Sequence, residues 1–273
     1  MIYTSGVSVA VRRSPSEALA VAISKLPDPF PIPTSPEIVL IKPSIYDPSL
    51  VGNTDIRMIQ SLLRIFANVA PIYIVESDNP VRTAEDAFSK MNYTSLVSPG
   101  VNLLNLSKDE TTMTKMPGYF FSEHDMPQSL VKSTFFVNAA TLKVEPEICG
   151  VGASIKNLFG LLPEKMKSQY HERITDVLLD LLVTFRPNFT VVDLTEFVVG
   201  NRKDGKTQHL GGVVIGFDPV AVDSYCANLF GIDPLSIPYL RRAHELGLGI
   251  ALPERIKVHG TAKQKLILEQ LEV

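Results

Sequence analysis

The sequence predicts an α/β fold: a mainly parallel, doubly wound sheet with helices on both faces. Three observations carry that expectation. Short apolar runs of strand length alternate with segments of helical periodicity. Cap chemistry stands directly before several of the helical segments. The 273 residues, 45% apolar and 20% charged, are ordinary globular usage. Residues 1–273 are read as one domain, with lobes 1–134 and 135–273 as the alternative division.

Val7 to Val11 reads as a strand, and Ser14-Pro15-Ser16-Glu17 starts a helix running to about Leu26. Pro27, Pro29, Pro31, Pro33 and Pro36 then remove backbone donors and favour an extended, rigid loop, or a linker between domains. Ile38 to Ile41 restarts a buried strand. Asn53-Thr54-Asp55 caps a helix whose apolar positions are Ile56, Ile59, Leu62, Leu63 and Phe66, and Ile72 to Val75 follows as a strand. Thr83 to Met91 reads as a helix and Val101 to Leu106 as a strand. Periodicity fails between Ser107 and Ser129, which allows a lid or a short hairpin around Pro117-Gly118. An apolar strand from Phe135 delivers Lys143, a glycine-flanked turn follows, and a short helix opens with Lys156 and Asn157. Ile174, Val177, Leu178, Leu181, Leu182 and Phe185 define a helix over His171 to Phe185. Phe189 to Leu194 and Gly212 to Phe217 read as strands. Asp218-Pro219 starts a helix that Gly231 ends, and a helix near Pro238 to Leu246 and a strand at Ile256 to Val258 complete the order.

Composition excludes several function classes. A net charge of -3 and no long run of Lys or Arg argue against nucleic acid. No apolar run reaches membrane-spanning length and the first residues lack a secretory pattern, so a cytoplasmic protein without a membrane partner is expected. Cys149 and Cys226 alone cannot build a four-thiolate iron-sulfur cluster within the chain.

Candidate chemistry gathers at strand ends, because ligands of open α/β sheets bind at the carboxyl edge. Lys42 follows Ile38 to Ile41, and Glu76 follows Ile72 to Val75, so the two are expected as neighbours; unrelated surface charges are the alternative. Asp193 ends Phe189 to Leu194, and Asp218 ends Gly212 to Phe217. With Asp223 one turn into the next helix, these acids are candidate Mg²⁺ ligands or proton carriers. Asp218 before Pro219 also reads as a plain helix cap. Gly150-Val-Gly152-Ala-Ser154-Ile-Lys156 matches neither G-x-x-x-x-G-K-[ST] nor G-x-G-x-x-G, but it offers backbone amides and a lysine to a phosphate or carboxylate. His171 is a candidate base or a capping residue. His124, His209, His244 and His259 stand alone, without zinc-ligand spacing, and no G-x-S-x-G elbow is present.

Five stretches occur in the order found in the domain of unknown function 362 family, which the chain resembles: Ile38 to Pro43 (IVLIKP), Ile72 to Ser77 (IYIVES), Leu142-Lys143, Lys156 to Leu162 (KNLFGLL) and Gly212 to Asp223 (GVVIGFDPVAVD). The resemblance implies site roles for Lys42, Lys143, Lys156, Asn157, His171, Asp193, Asn201, Asp218 and Asp223. The family often shows a Lys-x-His pair where this chain has Lys143-Val144-Glu145, which moves any histidine role there to Glu145 or removes it. Some relatives carry ferredoxin-like cysteine clusters, and this chain has none.

The expected function is an enzyme acting on a small anionic metabolite bearing phosphate or carboxylate. Lys42, Lys143, Lys156, Asn157 and Asn201 would bind it, while Glu76, Asp193, Asp223 or His171 handle protons and Asp193, Asp218 and Asp223 hold any Mg²⁺. The alternative is a non-catalytic accessory or ligand-binding protein of a redox or cofactor-assembly system, with a protein partner.

Overall fold

The structure, a computed structural model, describes residues 4–28, 30, 38–145, 150–201 and 205–260. Most of the proline-rich stretch (Pro29, Pro31, Pro33 and Pro36) and Cys149 lie outside them.

Local sequence sets most helix starts. Strand β1 (Ser5–Val11) leads to α1 (Pro15–Ser24), whose Ser14 side chain accepts from the Glu17 amide. After β2 (Val39–Pro43), Asp55 caps α2 (Ile56–Phe66) through the Arg57 amide. Between β3 (Ile72–Glu76) and β4 (Val101–Asn105), Thr83 and Asp86 close a capping box on α3 (Ala84–Lys90). The 107–129 excursion is a hairpin of β5 (Thr111–Lys115) and β6 (Glu123–Pro127), turning past Gly118 at φ +92° and followed by α4 (Gln128–Lys132). The chain then runs through β7 (Phe135–Glu145), β8 (Gly150–Gly152), α5 (Ser154–Asn157) and α6 (Ile174–Thr184). The last elements are β9 (Phe189–Val199), β10 (Lys206–Gly216), α7 (Pro219–Leu229), α8 (Pro238–Glu245) and β11 (Ile256–Gly260).

Among the described residues one nine-stranded sheet has the order β11-β1-β10-β9-β7-β2-β3-β4, with β8 added to β7. Strands from both halves of the chain share it. The pairs β2 with β3, β2 with β7, β3 with β4, β7 with β9 and β1 with β11 are parallel. Side chains alternate between two apolar layers, as the pleat requires. Val39, Ile41, Ile74, Val137 and Val191 pack with Leu19, Met58, Leu62 and Phe88 of α1 to α3. Leu40, Phe136, Ala140, Val192 and Val214 pack with Leu178, Leu181, Val222 and Leu240 of α6 to α8. The sheet is therefore covered on both faces. No helix among the described residues is long and apolar enough to cross a membrane.

Two strand readings are corrected. β9 continues five residues past Leu194, so Asp193 lies within a strand and not at its end. β10 pairs antiparallel with β9, and its carboxyl end therefore points to the edge opposite the ends of β2, β3 and β7. Strands β3 and β4 lie to one side of β2, and β7 and β9 to the other. That reversal of strand order opens a crevice at the carboxyl ends of β2 and β7, the usual place for a ligand in such sheets.

Candidate functional site at the sheet reversal

The crevice is a cavity of about 370 Å³, near the lower end of the roughly 300–1,000 Å³ usual for small-molecule sites. Its floor is built by the ends of β2 and β3. Lys42, 1% exposed, donates from Nζ to Glu76 Oε1 at 3.0 Å and Oε2 at 3.1 Å, and to the Pro43 carbonyl at 3.1 Å. Burial lowers the Lys42 pKa, and the Glu76 carboxylate pulls the other way. Glu76 also accepts from the Ser77 amide at 3.0 Å and the Ile45 amide at 3.3 Å. Arg82, buried, stands 3.7 Å from Glu76 and donates to the Ser77 and Ile45 carbonyls, bracing the loops beyond both strands.

One wall comes from β7 and α5. Lys143, 4% exposed, donates to Ser44 Oγ at 2.9 Å and the Thr141 carbonyl at 3.3 Å. Asn157 donates to Asn138 Oδ1 at 2.7 Å and accepts from Lys42 at 3.4 Å, and Asn138 in turn donates to Ser154 Oγ at 3.0 Å. A chain of polar contacts thus ties α5 to β2 and β7. Lys156 lines the cavity, half-buried, its side chain without a hydrogen bond or ion pair among the described residues. His171 lines the mouth, its ring edge-on to Phe159 at 5.1 Å.

The opposite wall holds Lys167, 6% exposed, with Nζ 3.1 Å from Ser77 Oγ and 2.7 Å from the Asp78 carbonyl. Burial is the main cause of its lowered pKa, about 8; Glu76 opposes the shift and Lys42 adds to it.

The cavity thus brings together Lys42, Glu76, Lys143, Lys156, Asn157 and His171. The remaining expected site residues stand elsewhere. Asp193, buried, accepts from the Asp55 amide at 3.0 Å and the Thr195 amide at 2.8 Å, holding the start of α2. Burial raises its pKa to about 6. Asp218 caps α7 through the Val220 amide at 3.0 Å and also takes the Ile250 amide at 3.0 Å, at the far edge of the sheet. Asp223 is fully buried and accepts from the Ser154 and Ile155 amides, both at 2.8 Å. Burial raises its pKa to about 7, against the effect of those bonds. Asn201 is exposed, beyond the end of β9. Asp193, Asp218 and Asp223 therefore share no common hollow, and among the described residues no group of three or more His, Cys, Asp or Glu is placed to hold a metal ion. The glycine turn differs too: Gly150 to Gly152 pairs with β7, and the Ser154 and Ile155 amides are already taken by Asp223.

Lys167 and Arg82 were not singled out from sequence. Lys167 stands just before a 3-10 segment, two positions after Lys165 and without periodicity, and Arg82 lies in a loop, so neither carries a pattern that marks burial. The lining counts five cations, Lys42, Arg82, Lys143, Lys156 and Lys167, against the two carboxylates Glu76 and Glu145. A concave site with that excess favours an anion.

A family described as "Domain of unknown function (DUF362)" matches residues 39–228. A curated relative, "Thylakoid-associated protein sll1697" of Synechocystis sp. (strain ATCC 27184 / PCC 6803 / Kazusa), is 24% identical over 136 residues, 47% of this chain and 42% of that protein. Among solved structures the chain is similar to the lactate racemase apoprotein of Thermoanaerobacterium thermosaccharolyticum, at 13% identity and a TM-score of 0.44. That match covers 76% of this chain and 54% of the other. It is also similar to a protein from Thermotoga maritima, at 8% identity and a TM-score of 0.42, over 73% of this chain and 55% of that one.

Proposed function

Because the chain belongs to the domain of unknown function 362 family, whose description assigns no activity, we propose a function from the cavity itself: a cytoplasmic enzyme acting on a small metabolite that carries phosphate or carboxylate. The excess of cations over carboxylates around a 370 Å³ hollow supports this most strongly. Lys143 and Lys156 hold the anionic group, and Asn157 orients it. Glu76, hydrogen-bonded to Lys42, carries the proton, since a buried carboxylate-amine pair can pass one without exposing net charge to the apolar core. His171 at the mouth is a second proton carrier.

The alternative, a binding or accessory protein with a protein partner, needs an exposed apolar docking face. On the β5–β6 hairpin Met116, Phe121 and Met126 turn inward, and Met113 alone is strongly exposed, which favours the enclosed site over the docking role.

A thermal-shift screen of phosphorylated and carboxylated metabolites, with and without Mg²⁺, tests the proposal. A ligand at a hundred times its Kd stabilises the fold by about 2.7 kcal/mol. The shift should shrink in Lys156→Ala. Equal shifts in both proteins would remove Lys156 from the site, and no shift with any anion would overturn the proposal.

A further inference from the structure

Lys167 differs from the other amines of the cavity in where its protons go. Ser77 Oγ donates to the Gly160 carbonyl at 2.9 Å, so it must accept from Lys167. The Asp78 carbonyl can only accept. Both contacts therefore use N–H bonds of the amine. Unlike Lys42, Lys167 has no carboxylate within ion-pair distance among the described residues. A neutral amine has two N–H bonds and one lone pair. With both N–H bonds engaged by Ser77 and Asp78, the lone pair is left for the cavity that Lys167 lines.

We propose that Lys167 is a nucleophile that forms a Schiff base with a carbonyl compound carrying an anionic group, such as a small oxo acid or a phosphorylated aldehyde. This rests on the anion site proposed above, with Lys143 and Lys156 taking the anionic end. The Lys167 lone pair attacks the carbonyl carbon, and a C–N bond forms as the oxygen becomes a hydroxyl. Loss of that hydroxyl as water breaks the C–O bond and leaves C=N. Both amine protons leave in the water, and nothing is oxidised or reduced. Burial, with a contribution from neighbouring cations, lowers the pKa to about 8, so at neutral pH a larger fraction of this amine is uncharged than for an ordinary lysine.

The test treats the unmodified protein with glyoxylate, a carboxylate bearing an aldehyde, then with borohydride, and maps modified lysines by peptide mass spectrometry. At neutral pH Lys167 should be labelled on the order of tenfold faster than exposed Lys25 and Lys132, because a pKa near 8 leaves far more free amine than the ordinary value of about 10.4. Inorganic phosphate should slow labelling at Lys167 and leave Lys25 unaffected. Labelling of exposed lysines with Lys167 untouched overturns the proposal. If phosphate still stabilises the fold in that case, the anion site stands and the nucleophile alone is lost. Rapid labelling of Lys167 that phosphate does not slow leaves the nucleophile standing and removes the anion site. Mapping on the natural sequence makes the test independent of whether Lys167→Arg folds.

Discussion

Asp223 shows how a buried acid can serve a site it does not touch. Its two oxygens hold the Ser154 and Ile155 amides, and so fix the short helix that presents Lys156 and Asn157. Its pKa of about 7 lies above the ordinary 3.8. The folded state therefore binds this proton more readily than the unfolded chain. The stability it contributes is full below about pH 4 and is lost as pH rises through about 7. Asp223→Asn cannot titrate, so the natural protein should lose up to about 3 kcal/mol relative to that variant between about pH 5 and about pH 8. Urea midpoints measured across the range give the result, and a constant difference would refute the raised pKa. At this scale the sequence was informative where a charged residue closes an apolar run. Lys42 and Glu76 follow such runs and are paired in the cavity. Lys167 and Arg82 follow no run, and only the folded loops bury them.

Asp180 of α6 carries the hairpin of β5 and β6. It is fully buried and accepts the amides of Gly118, Tyr119, Phe120 and Phe121 at 3.2, 3.0, 2.8 and 2.7 Å. Asp180→Ala leaves those donors without their acceptor, and should cost roughly 3–5 kcal/mol. Amide exchange at residues 118–121 should quicken more than exchange in β2 and β3. Unchanged exchange there would show that side-chain packing alone holds the hairpin. Element identity was readable from capping residues such as Ser14, Asp55, Thr83 and Asp218, whose side chains accept from the first helical turns. Strand direction was not. Polar residues and glycines from Thr195 to Gly211 hide the extensions that join β9 and β10 as antiparallel neighbours, which turns Asp218 to the far edge.

Across the whole molecule, the reversal of strand order at β2 and β7 places residues more than a hundred positions apart around one hollow, as with Lys42 and Asn157. Gly160 closes it: a Cβ there would lie 2.8 Å from Lys42 Cε and Nζ and 3.2 Å from Glu76 Oε1. Because Glu76 fixes that amine, Gly160→Ala should strain the pair, costing about 1–3 kcal/mol and weakening anion-induced stabilisation. An unaltered thermal shift with the same ligand would show that the pair gives way freely. The fold class was legible from the alternation of elements, whereas the gathering of amines depended on which strands became neighbours. A crystal structure grown in selenate, whose selenium can be located by its X-ray scattering, tests the anion site most directly. Selenate bound in the hollow at Lys143 and Lys156 is the predicted result. Selenate found only on the outer surface, with solvent alone in the hollow, would contradict it.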